Sequence, residues 1–258
     1  MVGSLARGGT ATVYLGEHPV TRQRVAIKII EPFFAEHPEI VDRLLAERLV
    51  SERVKHPGLV DVMAADRSAC GVPYLVMEYL DGENLGTLAD RGPIAIDALI
   101  AIALQIADAV VALHGAGIAH CDLKPDNVLV LYRSGPDGWP QVKVIDYGVA
   151  RRTDITTDET SIAGTPAYMA PEQWRGEPTP KCDVYALGCL LYELLAGDQP
   201  FHGTLPELMV AHREQVPDRV SVHRTAVPAE LDRLSHEGPR AVFEYWGHEA
   251  SLLPVELH

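Results

Sequence analysis

The chain has 258 residues, with 22 Lys or Arg against 36 Asp or Glu, a formal net charge of −14. Hydrophobic residues make up 47% and charged residues 22%, an ordinary globular balance that excludes wholesale disorder. So acidic a surface is a poor general partner for nucleic acid or an anionic membrane, although a local phosphate pocket stays open to it.

No run of about 18 apolar residues occurs. The richest stretch, Ala98 to Leu113, is interrupted by Gln105 and Asp108. No transmembrane helix is therefore expected, and no basic-then-apolar leader is visible. Cys70, Cys121, Cys182 and Cys189 form no C-x-x-C pair, so the sequence reads as a reduced, cytoplasmic protein.

Residues 10–30 read as strand, turn, strand, with Thr12 to Leu15 and Arg24 to Ile30 rich in β-branched side chains. Residues 38–55 read as a helix whose Val41, Leu45 and Leu49 share one face. Leu59 to Met63 and Tyr74 to Met77 read as strands. Residues 96–114 form a strongly apolar helix, and Asn127 to Leu131 and Gln141 to Ile145 flank a turn-rich hairpin. Residues 153–165 are polar and Thr-rich, and residues 183–196 form a second apolar helix ended by Gly197. A strand-rich part followed by a helical part predicts an α+β fold in two lobes.

Three segments carry groups suited to chemistry. Ala6-Arg7-Gly8-Gly9-Thr10-Ala11-Thr12-Val13 sits at the first turn, where adjacent glycines let backbone N–H groups approach an anion. An ordinary hairpin turn is the plainer reading of it. Lys28 lies on the following strand, on the opposite face from Ile27 and Ile29; a lone strand lysine is usually just exposed. The loop His120-Cys121-Asp122-Leu123-Lys124-Pro125-Asp126-Asn127 combines a proton-accepting carboxylate, a lysine and a carboxamide. Ile145-Asp146-Tyr147-Gly148 ends the next strand with a further carboxylate. Asn127 and Asp146 suit a magnesium ion held partly by substrate phosphates. Each residue alone is more often a turn former; the combination is what points to function.

Together these segments resemble a bacterial-type (Hanks-type) serine/threonine protein kinase, over about residues 3–234. The resemblance implies a bilobal fold, with residues 1–79 as the small lobe, 80–234 as the large one and 235–258 as a divergent tail. It implies ATP and Mg²⁺ as cofactors and protein serine or threonine as acceptor. Lys28 would hold the ATP phosphates and pair with Glu47. Ala6, Arg7, Gly8, Gly9, Val13 and Ala26 would surround the nucleotide. Met77 would be the gatekeeper, and Glu78, Tyr79 and Leu80 the hinge, with main-chain groups of Glu78 and Leu80 on adenine. Asp122 would accept the substrate proton, Lys124 would steady the phosphoryl group, and Asn127 and Asp146 would bind Mg²⁺. The Asp-Leu-Lys-Pro-Asp-Asn loop and Gly164-Thr165-Pro166-Ala167-Tyr168-Met169-Ala170-Pro171-Glu172 are similar to the serine/threonine branch. Asp183 would brace the catalytic loop.

Several positions depart from the family pattern. Ala6 and Ala11 replace glycines, Tyr147 replaces a phenylalanine, and Cys121 replaces an arginine that pairs with a phosphate on the activation loop. Activity is therefore expected to depend little on phosphorylation of Thr156, Thr157, Thr160 or Ser161. Most of the first strand is expected to be missing. The arginine expected to pair with Glu172 is absent near Trp246, and Arg240 falls too early. An active kinase, able to phosphorylate itself and open to forming a homodimer, is the first reading. A pseudokinase or nucleotide-binding scaffold without turnover is the alternative. A small-molecule phosphotransferase fits the Thr165 segment less well. A metal hydrolase is disfavoured, since the eleven histidines form no H-x-x-x-H cluster.

Overall fold

The computed structural model describes residues 2–135, 138–147, 151–152, 164–225 and 227–236. Its elements run β1 (Gly3–Arg7), β2 (Ala11–Glu17), β3 (Arg24–Ile30), α1 (Pro38–Arg53), β4 (Val62–Arg67) and β5 (Pro73–Glu78). They continue with β6 (Gly82–Asn84), α2 (Leu85–Ala89), α3 (Ile96–Gly115), β7 (Ile118–Ala119), β8 (Val128–Ser134), β9 (Pro140–Val144) and β10 (Arg151–Arg152). The helices α4 (Lys181–Ala196), α5 (Leu205–Glu214), α6 (Val220–His223) and α7 (Ala229–His236) complete the order. The two-lobed α+β expectation holds: one antiparallel sheet, ordered β1-β2-β3-β5-β4, carries α1, and the remainder is mainly helical.

Four expectations are corrected. The first strand is present, because Gly3 to Arg7 pairs antiparallel with Leu15 to Thr12. Leu59 to Asp61 lies outside β4; Leu59 instead bridges Val144 in parallel. Asn127 ends a 3₁₀ turn opened by Pro125, and β8 begins one residue later. On α1 the buried residues are Val41, Leu44, Glu47, Val50 and Ser51, whereas Leu45 and Leu49 are exposed. The helix is rotated so that Leu44 meets Ile30, Val62 and Leu75 in the small core and Glu47 reaches Lys28.

The large core gathers around α3 and α4. Leu99, Ile102, Ile106 and Leu113 of α3 are almost fully buried, each worth about 1.5–3 kcal/mol of apolar transfer. The helix is apolar and long enough to cross a membrane; one face packs against this core, while Ile100, Leu104 and Val111 are exposed. Gln105 ties it to the hairpin, donating to Pro140 O at 2.8 Å and accepting from Val142 N at 3.1 Å. Gly197 ends α4 with φ 81°, a left-handed turn that favours glycine, and its N–H donates to Glu193 O at 2.7 Å.

Candidate active site

A cavity of about 430 Å³ lies between the sheet and the helical part. Ala6, Val13 and Ala26 from β1–β3 line it, with Met77, Glu78 and Leu80 where the chain passes between the lobes. Lys28, Glu47 and Asp146 line it as well, and so do Leu5, Asn84 and Asp126, which sequence reasoning did not assign. Arg7, Gly8 and Gly9 are exposed at the β1–β2 turn and are not among the lining residues, because Gly8 N–H closes that turn onto Ala11 O at 2.9 Å.

Lys28 is the centre of a three-residue ion cluster in which Glu47 is buried and Asp146 half-exposed. Its Nζ donates to Glu47 Oε1 at 2.6 Å and to Asp146 Oδ1 at 3.0 Å. The register of β3 sets Lys28 opposite Val13 and Leu75, and α1 crosses behind the sheet to present Glu47. Burial alone would lower the pKa of Lys28, but the Glu47 and Asp146 carboxylates outweigh it and hold it above the ordinary value. Burial pushes the Glu47 carboxyl up to about 7, against the opposing pull of Lys28. Lys28 therefore stays cationic at neutral pH.

The second group forms where α3 and β7 hand over to the 3₁₀ turn. Asp122 Oδ2 accepts from Asn127 Nδ2 at 3.1 Å and lies 3.3 Å from Lys124 Nζ. Asp122 Oδ1 accepts from Thr165 Oγ1 at 2.7 Å, and the same hydroxyl accepts from Lys124 Nζ at 2.7 Å. The link between Thr165 and Asp122 was not foreseen. Its sequence signal is the glycine before it: at Gly164, φ 129°, an added Cβ would fall 2.5 Å from Gln173 Nε2 and 2.9 Å from Cys121 O.

The loop backbone is held from below. Asp183 is fully buried and accepts from His120 N at 2.8 Å and Cys121 N at 2.7 Å, with His114 Nε2 also 2.7 Å away. Gln173 Nε2 donates to Cys121 O at 2.6 Å. These bonds fix Cys121 at φ 64°, a left-handed conformation that non-glycine residues seldom adopt. Asp146 stands at φ 65°. His120 Nε2 lies 3.2 Å from Ile145 O, and Ile145 N–H donates to Asn127 O at 2.9 Å, so the loop and the segment bearing Asp146 are joined. Tyr147 is fully buried, and its hydroxyl donates to Val144 O at 3.2 Å, the partner that its burial requires. Gly148, Thr156, Thr157, Thr160, Ser161 and Arg240 lie outside the described residues. Glu172 accepts from the Cys182 thiol at 3.7 Å, and burial pushes that thiol up to about 12.

A two-lobed fold with a lysine–glutamate pair in its cleft and an Asp–Lys–Asn loop beside it defines the protein kinase class. The comparisons agree with this architecture. The protein kinase domain matches residues 1–238. The chain is 39% identical over 239 residues to serine/threonine-protein kinase Pkn1 of Myxococcus xanthus, covering 91% of this chain and 34% of that protein. It is 38% identical to PkaB of Streptomyces coelicolor over 236 residues, covering 89% and 55%. It is 35% identical to PknL of Mycobacterium tuberculosis over 236 residues, covering 89% and 57%. This chain belongs to the protein kinase domain family, and it spans about a third to just over half the length of these curated relatives.

Proposed function

We propose that this chain transfers the γ-phosphoryl group of ATP to serine or threonine hydroxyls of proteins, its own included. The observation that carries this is the pairing of Lys28 with both Glu47 and Asp146 in the cleft, beside an Asp122 already hydrogen-bonded by a hydroxyl. Thr165 occupies the kind of position an acceptor hydroxyl needs, and Asp122 can take such a proton. Lys28 and Lys124 supply positive charge where phosphate charge must be balanced.

Asn127 and Asp146 offer hard oxygen donors, and no group of three or more His, Cys, Asp or Glu able to hold a metal exists among the described residues. Such a donor set fits magnesium, which binds through one or two protein oxygens together with substrate phosphates. Bound there, the ion would neutralise phosphate charge. We place the lobe boundary between residues 79 and 80, with Ala6, Val13, Ala26, Met77, Glu78 and Leu80 around the nucleotide. A need for ATP fits a cytoplasmic location for the domain. A homodimer would bring two copies together for autophosphorylation.

Incubation with γ-labelled ATP, with magnesium or with excess chelator, tests the reading on the chain itself and on a basic protein. Magnesium-dependent label in protein supports it. Nucleotide binding without label would instead favour a scaffold without turnover.

A further inference from the structure

Behind the nucleotide cavity a second polar assembly joins the lobes. Lys143 lies on β9, three residues before Asp146, between the buried Val142 and Val144. Its Nζ donates to Leu59 O at 3.0 Å and to Glu78 Oε1. The same Glu78 oxygen accepts the Asp61 N–H at 2.8 Å, and Glu78 N–H returns a bond to Asp61 O at 2.9 Å. The segment 58–62 is also fastened to α1. Ser51, one turn beyond Glu47 and buried, accepts Val62 N–H at 2.8 Å and donates to Asp61 Oδ1 at 3.1 Å. Arg48 Nη1 donates to Val62 O at 2.9 Å. Backbone bonds Val144 N to Gly58 O (2.8 Å) and Val60 N to Val144 O (3.1 Å) join the segment to β9.

The two assemblies close a ring. At the front, Lys28 bridges Glu47 of α1 and Asp146 beyond β9. At the rear, Ser51, Asp61, Glu78 and Lys143 connect the same two elements through the hinge. Exposed ion pairs contribute little, but the Lys143 side chain is only 13% exposed and has acceptors on two separate segments. We propose that Lys143 is a positioning residue for phosphoryl transfer: it anchors β9 to the hinge and to the 58–62 segment. It thereby holds Asp146 and Glu47 at the spacing that Lys28 spans. This rests on the roles proposed above for Lys28, Glu47 and Asp146.

Lys143→Met keeps the apolar stem, and Lys143→Arg keeps the charge. Steady-state kinetics of both, with melting temperatures, should show kcat about tenfold lower in Lys143→Met, an unchanged KM for peptide, and most of kcat restored in Lys143→Arg (~1.4 kcal/mol). In a Glu47→Gln background Lys143→Met should cause little further loss, because both changes act on one unit. A folded Lys143→Met with the parent's kcat, or a loss that multiplies fully onto that of Glu47→Gln, overturns the proposal. If Lys143→Met does not fold, Glu78→Met, which removes the acceptor of both bonds, takes its place, with kcat again about tenfold lower (~1.4 kcal/mol) and little further loss in the Glu47→Gln background. A parent that transfers no phosphate contradicts the assigned function, not the clamp. The clamp is then read from affinity for a non-hydrolysable ATP analogue, which Lys143→Met should weaken severalfold; unchanged affinity overturns it.

Discussion

Thr165 Oγ1 stands 2.7 Å from Asp122 Oδ1 and donates its proton to it, while accepting one from Lys124 at the same distance. One hydroxyl thus locks the segment that follows the polar loop onto the two residues assigned to phosphoryl transfer. Thr165→Val keeps the shape and removes both bonds. Its kcat should fall about tenfold (~1.4 kcal/mol) with nucleotide affinity unchanged, and Thr165→Ser should recover most of it. Equal rates for the Val and Ser variants would show that the hydroxyl plays no such part.

Asp183 holds two backbone N–H groups and His114 with no solvent exposure. Asp183→Ala leaves those donors buried and unpaired, at about 1–3 kcal/mol each. Denaturant unfolding should show a loss of about 3 kcal/mol. A loss under about 0.5 kcal/mol, the range of ordinary surface changes, would mean that the loop does not depend on this brace.

His212 on α5 is buried, with Nδ1 2.7 Å from the Tyr185 hydroxyl. Burial lowers its pKa from 6.5 to about 4. The unfolded chain therefore takes up a proton near pH 6.5 that the folded chain refuses until about pH 4. Stability from this group is fully present above pH 6.5 and is lost as pH falls through that window, by about 3 kcal/mol at most. Unfolding measurements on parent and His212→Gln should converge as pH is lowered from 7 to 4. A constant difference between them would contradict a neutral buried imidazole.

The kinase pattern that the sequence resembles puts at Cys121 an arginine that meets a loop phosphate; Cys121 is buried with its backbone held by Asp183 and Gln173. A thiol cannot make that ion pair. Replacing Thr156, Thr157, Thr160 and Ser161 together by Ala should lower the rate less than tenfold. A larger loss, measured on a peptide acceptor, would show that the loop hydroxyls matter by another route.

The parts legible in the sequence were those with local causes. The apolar helix α3, the stop at Gly197 and the Lys28 strand each follow from patterns within a few residues. The polar loop was legible because its residue types are rare in that combination. The face of α1 was not, since Leu45 and Leu49 match a helical stripe as well as the buried set does. What decides it is long-range packing: Leu44 meets Ile30, Val62 and Leu75 while Glu47 reaches Lys28. The bond from Thr165 to Asp122 spans 43 residues, and that from Lys143 to Glu78 spans 65. No periodicity encodes such contacts. The first strand was underestimated because all five of its residues are exposed and are held by backbone pairing to β2.

The most direct test compares label transfer from γ-labelled ATP by the parent and by Asp122→Asn, with both shown to be folded and to bind nucleotide. The amide keeps an acceptor for Thr165 but is far too weak a base to take an acceptor's proton. The parent should label itself and a basic protein, and the variant should lose at least about a hundredfold in rate with nucleotide affinity retained. Equal labelling by the two proteins would contradict the placement of Asp122 at the centre of the reaction.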